Sequence, residues 1–451
     1  MEIFIVLIFI FGYLAITLEH SLKIDKLIPA LLMMALAWSG VAFGLDSFTG
    51  WFNSHTNSML EIFPLLDHEG KLELLENTLL HHFGKTCEIL IFLVGAMTIV
   101  EIIDHFEGFA TIKSFVKTKK KRTLLWIVCI LGFTLSAIID NLTATIVLIT
   151  ILRKLIPENK DRIWYAGLII IAANAGGSWS PIGDVTTTML WMGKKVSAGK
   201  LIEYLIIPSL ICVIIPTIIA SFLPAFKGNF EAPTGKDKIN KNGPLMLYLG
   251  LSLIVFVPVF KTITHLPPYL GMMLSLSIFA MVAEILSNRK FKFATVEDEM
   301  EATASYHKSP TFSALGKIEM PSVLFFLGIL MTVAALESLG LIFSFGNTVN
   351  AAMDTNLFIL LIGAGSAVID NVPLVAASMG MFNAPMDSHI WHFIAYAAGT
   401  GGSMLIIGSA AGVVAMGMEK ISFFWYLKNI AWLAALGYLA GFGFMLLFHS
   451  A

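Results

Sequence analysis

Long apolar runs follow one another along the whole chain, separated by short polar connections. A helix needs about 20 mostly apolar residues to cross the roughly 30 Å hydrocarbon core of a bilayer, and most of these runs approach that length. The pattern predicts an all-α polytopic membrane protein. The predicted spans are residues 3–18, 27–44, 87–103, 163–192, 201–222, 245–260, 268–286, 321–343, 391–417 and 424–447.

Two further apolar stretches, 124–156 and 356–382, do not fit this template, because each carries Asp-Asn near its middle. As one straight helix the first would be about 50 Å long, far more than a single crossing needs. We predict that each stretch is a re-entrant hairpin of two half-helices, with its tip near the midplane and enclosed by protein. The tips are Asp140-Asn141 and Asp370-Asn371.

The charges that flank the two hairpins predict that they enter from opposite faces. Basic residues precede the first hairpin at 119–122 and follow it at 153, 154 and 162, which indicates cytoplasmic ends. No Lys or Arg lies near the ends of the second hairpin, so its mouth is predicted to be external. The Lys194 to Lys200 cluster is the main exception, because counting crossings places it outside.

Sequence similarity between the two halves predicts an inverted-topology repeat, an architecture common among secondary transporters. The motif Ser136-Ala-Ile-Ile-Asp140-Asn141 recurs as Ser366-Ala-Val-Ile-Asp370-Asn371. A Gly-rich segment follows each hairpin, at 173–178 and 398–403, and is predicted to break a transmembrane helix. The chain is then a single membrane domain with four parts: N-terminal helices and an external loop (1–86), repeat 1 (87–222), connecting helices and cytoplasmic loops (223–320) and repeat 2 (321–451).

Composition supports a membrane protein and argues against other classes. Hydrophobic residues make up 57% of the chain, charged residues only 13%, and mean hydropathy is +0.81. A net charge of −2 provides no basic field for nucleic acid. The sequence has no phosphate-binding loop, metal-ligand spacing or nucleophile motif, so we predict no cofactor and energy supplied by ion gradients.

Asp140 and Asp370 are the strongest functional candidates. An acid at the centre of an apolar run costs about 2.5 to 3.5 kcal/mol on insertion scales, so it normally faces a cavity, a partner or an ion. The alternative is that each acid only caps a half-helix, and that Asn141 and Asn371 only form turns. Oxygen ligands from such tips suit a hard ion such as sodium or lithium, and protons compete for the same carboxylates.

Asp184 is a third candidate acid without a counterpart, because Ser409 occupies the matching position. It follows Pro181 and Gly183, which are predicted to break the helix and free backbone oxygens. We interpret Asp184 as an additional proton or cation ligand. The alternative is an interfacial or salt-bridged residue near the outer end.

Other polar residues are candidates for supporting or gating roles. They are Ser136, Ser366, Glu88, Glu101 and Glu319. His81, His82 and His105 could sense pH, although an interfacial histidine more often has no special role.

The motifs together resemble the NhaD-type sodium/proton antiporter family, within a superfamily that also contains citrate and dicarboxylate carriers. The resemblance rests on Gly95 to Asp104, Ser136 to Thr143, Gly176 to Thr188, Ser366 to Asn371 and Gly401 to Ser403. It implies a homodimer with an elevator-like motion. It also implies a transport site lined by Asp140, Asn141, Thr143, Asn174, Asp184, Thr186, Asp370, Asn371 and Ser403.

The preferred hypothesis is exchange of Na⁺ or Li⁺ for protons, in the service of pH homeostasis, across a bacterial cytoplasmic membrane. The partners are then the lipid bilayer, alkali cations and protons. A carrier of the same fold for a dicarboxylate-type anion is the first alternative, although acids at both tips would repel an anion. An intramembrane aspartyl protease that uses two acids as a dyad is the second.

Overall fold

The computed structural model describes residues 1–53, 58–60, 62–113, 118–229, 240–287 and 309–448, and these are almost entirely helical. The described strands are two residues long: Phe52–Asn53 pairs antiparallel with Ser58–Met59. This architecture confirms the predicted all-α class.

The N-terminal region contains a helix much longer than the sequence predicted. Its helices are α1 (Glu2–Thr17), α2 (Glu19–Leu22), α3 (Leu27–Phe43), α4 (His68–His105) and α5 (Ala110–Lys113), with 3-10 turns at Leu45–Ser47 and Phe63–Leu65. The predicted span 87–103 is only the second half of α4, whose 38 residues extend over about 57 Å. The polar first half continues the helix because Asp67 caps it, accepting a 2.9 Å hydrogen bond from Gly70 N.

The first predicted hairpin is a pair of helices that meet at Asp140. The helices of this region are α6 (Lys121–Ile139), α7 (Asn141–Leu155), α8 (Asn159–Gly177), α9 (Val185–Met192) and α10 (Ala198–Ala220). An ion pair between Lys121 and Asp161 holds the start of α6 beside the start of α8, close to the end of α7. Both ends of the α6–α7 pair therefore lie together, as a hairpin requires. The predicted span 163–192 is broken at residues 178–184.

The connecting region contains two long apolar helices. Its elements are a 3-10 turn at Pro224–Phe226, α11 (Gly243–Thr264), α12 (Pro268–Ser287) and α13 (Pro310–Leu315). The predicted cytoplasmic loops fall largely on residues 230–239 and 288–308, which lie outside the described residues.

The second half repeats the pattern of a hairpin followed by a broken helix. Its helices are α14 (Met320–Ser338), α15 (Leu341–Ala352), α16 (Thr355–Ser366), α17 (Asn371–Met381), α18 (His389–Gly401), α19 (Ala410–Glu419), α20 (Phe423–Asn429) and α21 (Ala431–Phe448). At about 18 and 16 Å, α16 and α17 have the predicted length of half-helices. In the first hairpin α6 has 19 residues, about 28 Å, and is longer than the predicted half-helix. The predicted span 321–343 is interrupted at Gly340, whose φ of +70° ends α14, and residues 402–409 break the span 391–417.

Within the described residues, seven helices are long and apolar enough to cross a bilayer, and the chain is a multi-pass membrane protein. They are α4, α6, α10, α11, α12, α14 and α21. Shorter apolar helices include α1, α3 and both helices of the second hairpin.

Each hairpin packs against the broken helix that follows it, and the contacts match in the two halves. Ser136 Oγ donates a 2.6 Å hydrogen bond to Ala173 O, and Ser366 Oγ donates a 2.9 Å bond to Ala398 O. Gly176 and Gly401 bring the backbones so close that a Cβ at either would collide with a carbonyl oxygen of the hairpin. These contacts fix each hairpin tip beside a helix break.

A buried charge cluster joins the two halves at the ends of α7, α8 and α19. Glu419 is 1% exposed and accepts hydrogen bonds from Arg153 Nε at 2.7 Å and Arg162 Nε at 2.9 Å. Asn159 Nδ2 donates a third at 2.8 Å. Because each oxygen of the carboxylate is paired, the cluster can remain charged away from water.

We expect Gly176→Ala and Gly401→Ala each to lower the free energy of unfolding in detergent by about 1 to 3 kcal/mol, the usual cost of overpacking. Alanine favours a helix over glycine by about 1 kcal/mol, so a loss of stability would come from the close backbone contact. Gly443→Ala is the matched control, because a Cβ at this helical glycine meets nothing within 4 Å. Thermal unfolding followed by fluorescence measures the effect, and equal midpoints for all three variants would contradict it.

Candidate functional site

Asp140 lies at the tip of the first hairpin in a backbone conformation that normally needs glycine. Its φ is +76° and its ψ is 158°, a region that costs a residue with a side chain about 1 to 3 kcal/mol. The carboxylate caps α7 by accepting hydrogen bonds from Thr143 N at 2.7 Å and from Thr143 Oγ1 at 2.9 Å. The sequence therefore keeps an acid at a position where glycine would be less strained.

Asp370 lies at the tip of the second hairpin and has a basic partner. Its Oδ1 caps α17 by accepting from Val372 N at 3.3 Å. Its Oδ2 accepts a 2.9 Å hydrogen bond from Lys26 Nζ, at the start of α3. Lys26 carries no signal of this pairing in the sequence, since a lysine beside an apolar span most often lies at the membrane surface.

Asp184, at the break between α8 and α9, contacts the second hairpin directly. Its Oδ2 accepts a 3.0 Å hydrogen bond from Asn371 Nδ2, and its Oδ1 accepts a longer bond, 3.4 Å, from Thr186 N. Asp184 is 5% exposed, so it lies in the protein interior. This burial argues against the interfacial alternative, and a site role for Asp184 stays a prediction.

Asn174 links three parts of the site through its side-chain amide. Its Oδ1 accepts a 3.0 Å hydrogen bond from Asn141 Nδ2 at the first tip. Its Nδ2 donates to Ile170 O and to Ser409 Oγ, both at 3.0 Å. Asn174 thus connects the first hairpin to the break in the second half.

A single cavity of about 80 Å³ lies between the two tips and the first break. The predicted site residues that line it are Asp140, Asn141, Asp184, Asp370 and Asn371, and Lys26 lines it as well. The remaining wall is largely apolar, with Phe92, Ala96 and Met97 contributed by α4. The acids surround the cavity without forming a ready-made ligand set: among the described residues, no group of three His, Cys, Asp or Glu side chains is placed to hold one metal ion.

Four predicted site residues do not line this cavity. Thr143 acts through Asp140, and Asn174 through Asn141. Thr186 is fully buried beside Asp184. Ser403 donates a 2.7 Å bond to Thr400 O and so completes the end of α18.

The placement of Ser403 has a simple physical reason. Ser178, its counterpart in the first half, donates a 2.9 Å bond to Ala175 O in the same way. Both serines satisfy a carbonyl at a helix C-terminus, which otherwise has no intrahelical donor.

The candidate supporting glutamates lie on either side of the site, Glu88 and Glu101 on α4 and Glu319 at the start of α14. Glu88 lies 3.8 Å from Lys85, both in a second cavity of about 540 Å³, which we call the vestibule. Its lining includes His81, His82, Lys85, Glu88, Lys194, Lys195 and Glu337. Glu101 is beyond the site, near Lys317 and Glu319, and Glu319 accepts a 3.1 Å bond from Ser322 Oγ.

The vestibule brings together basic residues that the predicted topology places outside. Lys85 and Lys194 both line it, which is consistent with one compartment for 81–88 and the Lys194 to Lys200 loop. Lys195 lies 4.6 Å from the centroid of the Trp391 ring. Burial lowers the pKa of Lys195, and nearby Glu337 partly opposes this shift.

Comparison with known proteins gives consistent matches. Residues 6–392 match the CitMHS family, described as a citrate transporter. Sodium/proton antiporter 1 of Arabidopsis thaliana is 40% identical over 456 residues, covering 100% of this chain and 73% of that protein. Na(+)/H(+) antiporter NhaD of Halomonas elongata is 28% identical over 452 residues, covering 96% of this chain and 86% of that protein.

A solved structure shows the same fold. The crystal structure of the Alcanivorax borkumensis YdaH transporter, described as having an unusual topology, matches with a TM-score of 0.56. The match covers 94% of this chain and 98% of that one at 15% sequence identity.

We expect Asp140→Gly to be more stable than Asp140→Ala by about 1 to 3 kcal/mol, because glycine alone adopts the φ of +76° without strain. Both variants lack the carboxylate, so the comparison isolates the backbone. The matched pair at Asp370, where φ is −49°, should differ less, since only the preference for glycine over alanine at a helix N-cap remains. Unfolding midpoints measure both pairs, and equal differences at the two positions would argue against strain at Asp140.

Proposed function

The chain belongs to the CitMHS transporter family and, within it, to the NhaD-type sodium/proton antiporters, and on this premise we propose that it exchanges Na⁺ or Li⁺ for protons. The family consists of transporters, so the chain is a secondary transporter and not an intramembrane protease. Asp140, Asp184 and Asp370 are the groups proposed to bind cation and proton in turn.

The observation that carries this proposal is that one small cavity is lined by both hairpin tips and by Asp184. Water occupies about 30 Å³ per molecule in the liquid, so about 80 Å³ accommodates a cation with one or two waters. Three carboxylates and two amide side chains line it, and their oxygens are of the type that hard cations prefer, although the acids do not converge on one point in this conformation. Carboxylates at these tips that carry neither a cation nor a proton would repel an anion.

Competition for these carboxylates is the proposed basis of coupling. A carboxylate that is cut off from bulk water is poorly solvated as an anion, so it is stabilised either by a bound cation or by a proton. A cation that arrives from one side displaces protons, and protons that arrive from the other side displace the cation. Asn141 and Asn371 add neutral oxygens, while Thr143, Asn174 and Thr186 hold the acids and amides in place.

The proposed architecture is an inverted repeat of residues 87–222 and 321–451 with two re-entrant hairpins. Its support is the matched packing of the two halves, including Gly183 and Gly408, where a Cβ would lie 2.7 Å from Ser136 O and Ser366 O respectively. The homodimer, the elevator-like motion and the bacterial cytoplasmic membrane stay predictions.

The vestibule is the proposed outer route to the site. Three helices reach both cavities: α4 through Phe92 and Glu88, α9 through Thr188 and Met192, and α17 through Val372 and Met379. Because the same helices line both cavities, a modest movement of α17 against α4 and α9 would open a path between them.

We expect Asp140→Asn and Asp370→Asn to abolish cation-dependent proton movement. Asparagine is as good a helix cap as aspartate, so these variants retain the capping role and lose only the charge. The measurement is acridine-orange dequenching in everted vesicles from a host without its own sodium/proton antiporters, with NaCl, LiCl, KCl and choline chloride added in turn.

The matched control is Asp354→Asn, an exposed cap of α16 that accepts from Asn356 N and Leu357 N. It should exchange at the wild-type rate. Normal exchange by Asp140→Asn would reduce that acid to a cap and contradict the proposal. Uptake of labelled citrate by wild-type vesicles without any cation-driven proton movement would favour the anion carrier instead.

We also expect the apparent KM for sodium to fall as pH rises on the side where the cation binds. If one proton competes with one cation, the KM changes by about tenfold per pH unit while the carboxylate is mostly protonated. Initial rates at several sodium concentrations and pH values measure it. A KM that is independent of pH, with only the maximal rate changing, would contradict a shared site.

A further inference from the structure

Lys26 places a positive charge inside the cavity that is proposed to receive a cation. Its Nζ lies 2.9 Å from Asp370 Oδ2, and the side chains of Lys26 and Asp370 are 26% and 17% exposed. Among the described residues that line the cavity, Lys26 is the one with a basic side chain. The ammonium therefore pairs with the carboxylate oxygen that a cation at the second tip would need as a ligand.

The surroundings of Lys26 allow the ammonium to move away from Asp370. Its Nζ also lies 4.4 Å from the centroid of the Phe325 ring. The face of an aromatic ring attracts a cation even where no carboxylate is available to pair with it. The side chain has a flexible four-carbon stem. The ring contact exists while the ammonium pairs with Asp370, so it remains available to the ammonium when the ammonium leaves the carboxylate.

The ion pair also joins two separate groups of helices. Lys26 immediately precedes α3, which packs against α14, where Phe325 lies. Asp370 belongs to the hairpin α16–α17. The Lys26–Asp370 ion pair thus links the hairpin to the α3–α14 pair. A cation that displaces Lys26 from Asp370 would remove this link.

We propose that Lys26 is a tethered competitor of the transported cation at Asp370. In the cation-free protein the ammonium neutralises Asp370 and holds the second hairpin against α3. An incoming sodium or lithium ion takes Asp370 Oδ2, the oxygen that Lys26 contacts, and the ammonium, which the cation repels, withdraws toward Phe325. The inference rests on the proposed function, since it needs Asp370 to be a cation ligand.

The test is a charge series at residue 26 of the full-length protein. Lys26→Gln removes the competitor, so the half-saturating sodium concentration should fall by about tenfold or more, the change that about 1.4 kcal/mol produces. Lys26→Arg places a guanidinium that pairs more strongly with a carboxylate, so the half-saturating concentration should rise. Lys23→Gln, an exposed lysine in the same connection, is the matched control and should leave it unchanged.

Two readouts are compared for each variant. One is the sodium dependence of the exchange rate in vesicles, and the other is the rise in unfolding temperature of the purified protein as NaCl replaces choline chloride. Binding that stabilises the folded state raises this temperature according to the ratio of ligand concentration to Kd. The second readout does not require turnover.

Opposite shifts for Lys26→Gln and Lys26→Arg support the proposal. Unchanged values for both, or shifts in the same direction, overturn it, because a merely structural role predicts damage from either change. If Lys26→Gln does not fold, Lys26→Arg decides: a rise in the half-saturating concentration supports competition, and no rise overturns it. Wild-type protein that neither binds sodium nor exchanges it would instead overturn the proposed function.

Discussion

Broken helices and acidic side chains lie inside a part of the protein that lipid surrounds, and the structure depends on other protein groups to enclose them. Backbone groups at a helix break have no water to bind inside a bilayer, so protein must satisfy them. Here the acids do so at one side of each break: Asp140 caps α7, Asp184 caps α9 and Asp370 caps α17. The residues proposed to bind the cation are thus also the residues that make the broken helices possible.

The two halves share their packing but differ in chemistry. Matching serines and glycines fix each hairpin against its broken helix, whereas the break in the first half ends in Asp184 and that in the second ends in Ser409. Asn174 is matched by Gly399, where a Cβ would lie 2.8 Å from Ser178 Cβ, so no side chain fits there. The shared packing forms the cavity, and the unmatched residues give it an excess of acid on the side of the first break.

Much of this site was predictable from the sequence because its signals are local and repeated. Asp-Asn inside an apolar run predicted both tips, and Pro181 with Gly183 predicted the first break. Five of the residues expected at the transport site line the cavity, namely Asp140, Asn141, Asp184, Asp370 and Asn371, and their role in transport stays a prediction.

The features that sequence reasoning missed are pairings between distant segments. Lys26 and Asp370 are 344 positions apart, and nothing in the residues around 26 indicates which acid they meet. Ser403 belongs to the Gly401 to Ser403 motif, but its hydroxyl donates to the carbonyl oxygen of Thr400 at the end of α18. The long α4 was missed because its first half is polar, and hydropathy detects only the part of a helix that lies in the membrane.

If cation and proton occupy the same carboxylates, sodium binding must release protons, and this release can be measured in the purified protein. Purified protein in weakly buffered detergent solution with a pH indicator is titrated with NaCl, with choline chloride as the control for ionic strength. We expect sodium binding to release protons, and we expect this release to be lost when Asp140 and Asp370 are both replaced by asparagine. Sodium binding without proton release, or release that survives in the double variant, would contradict it.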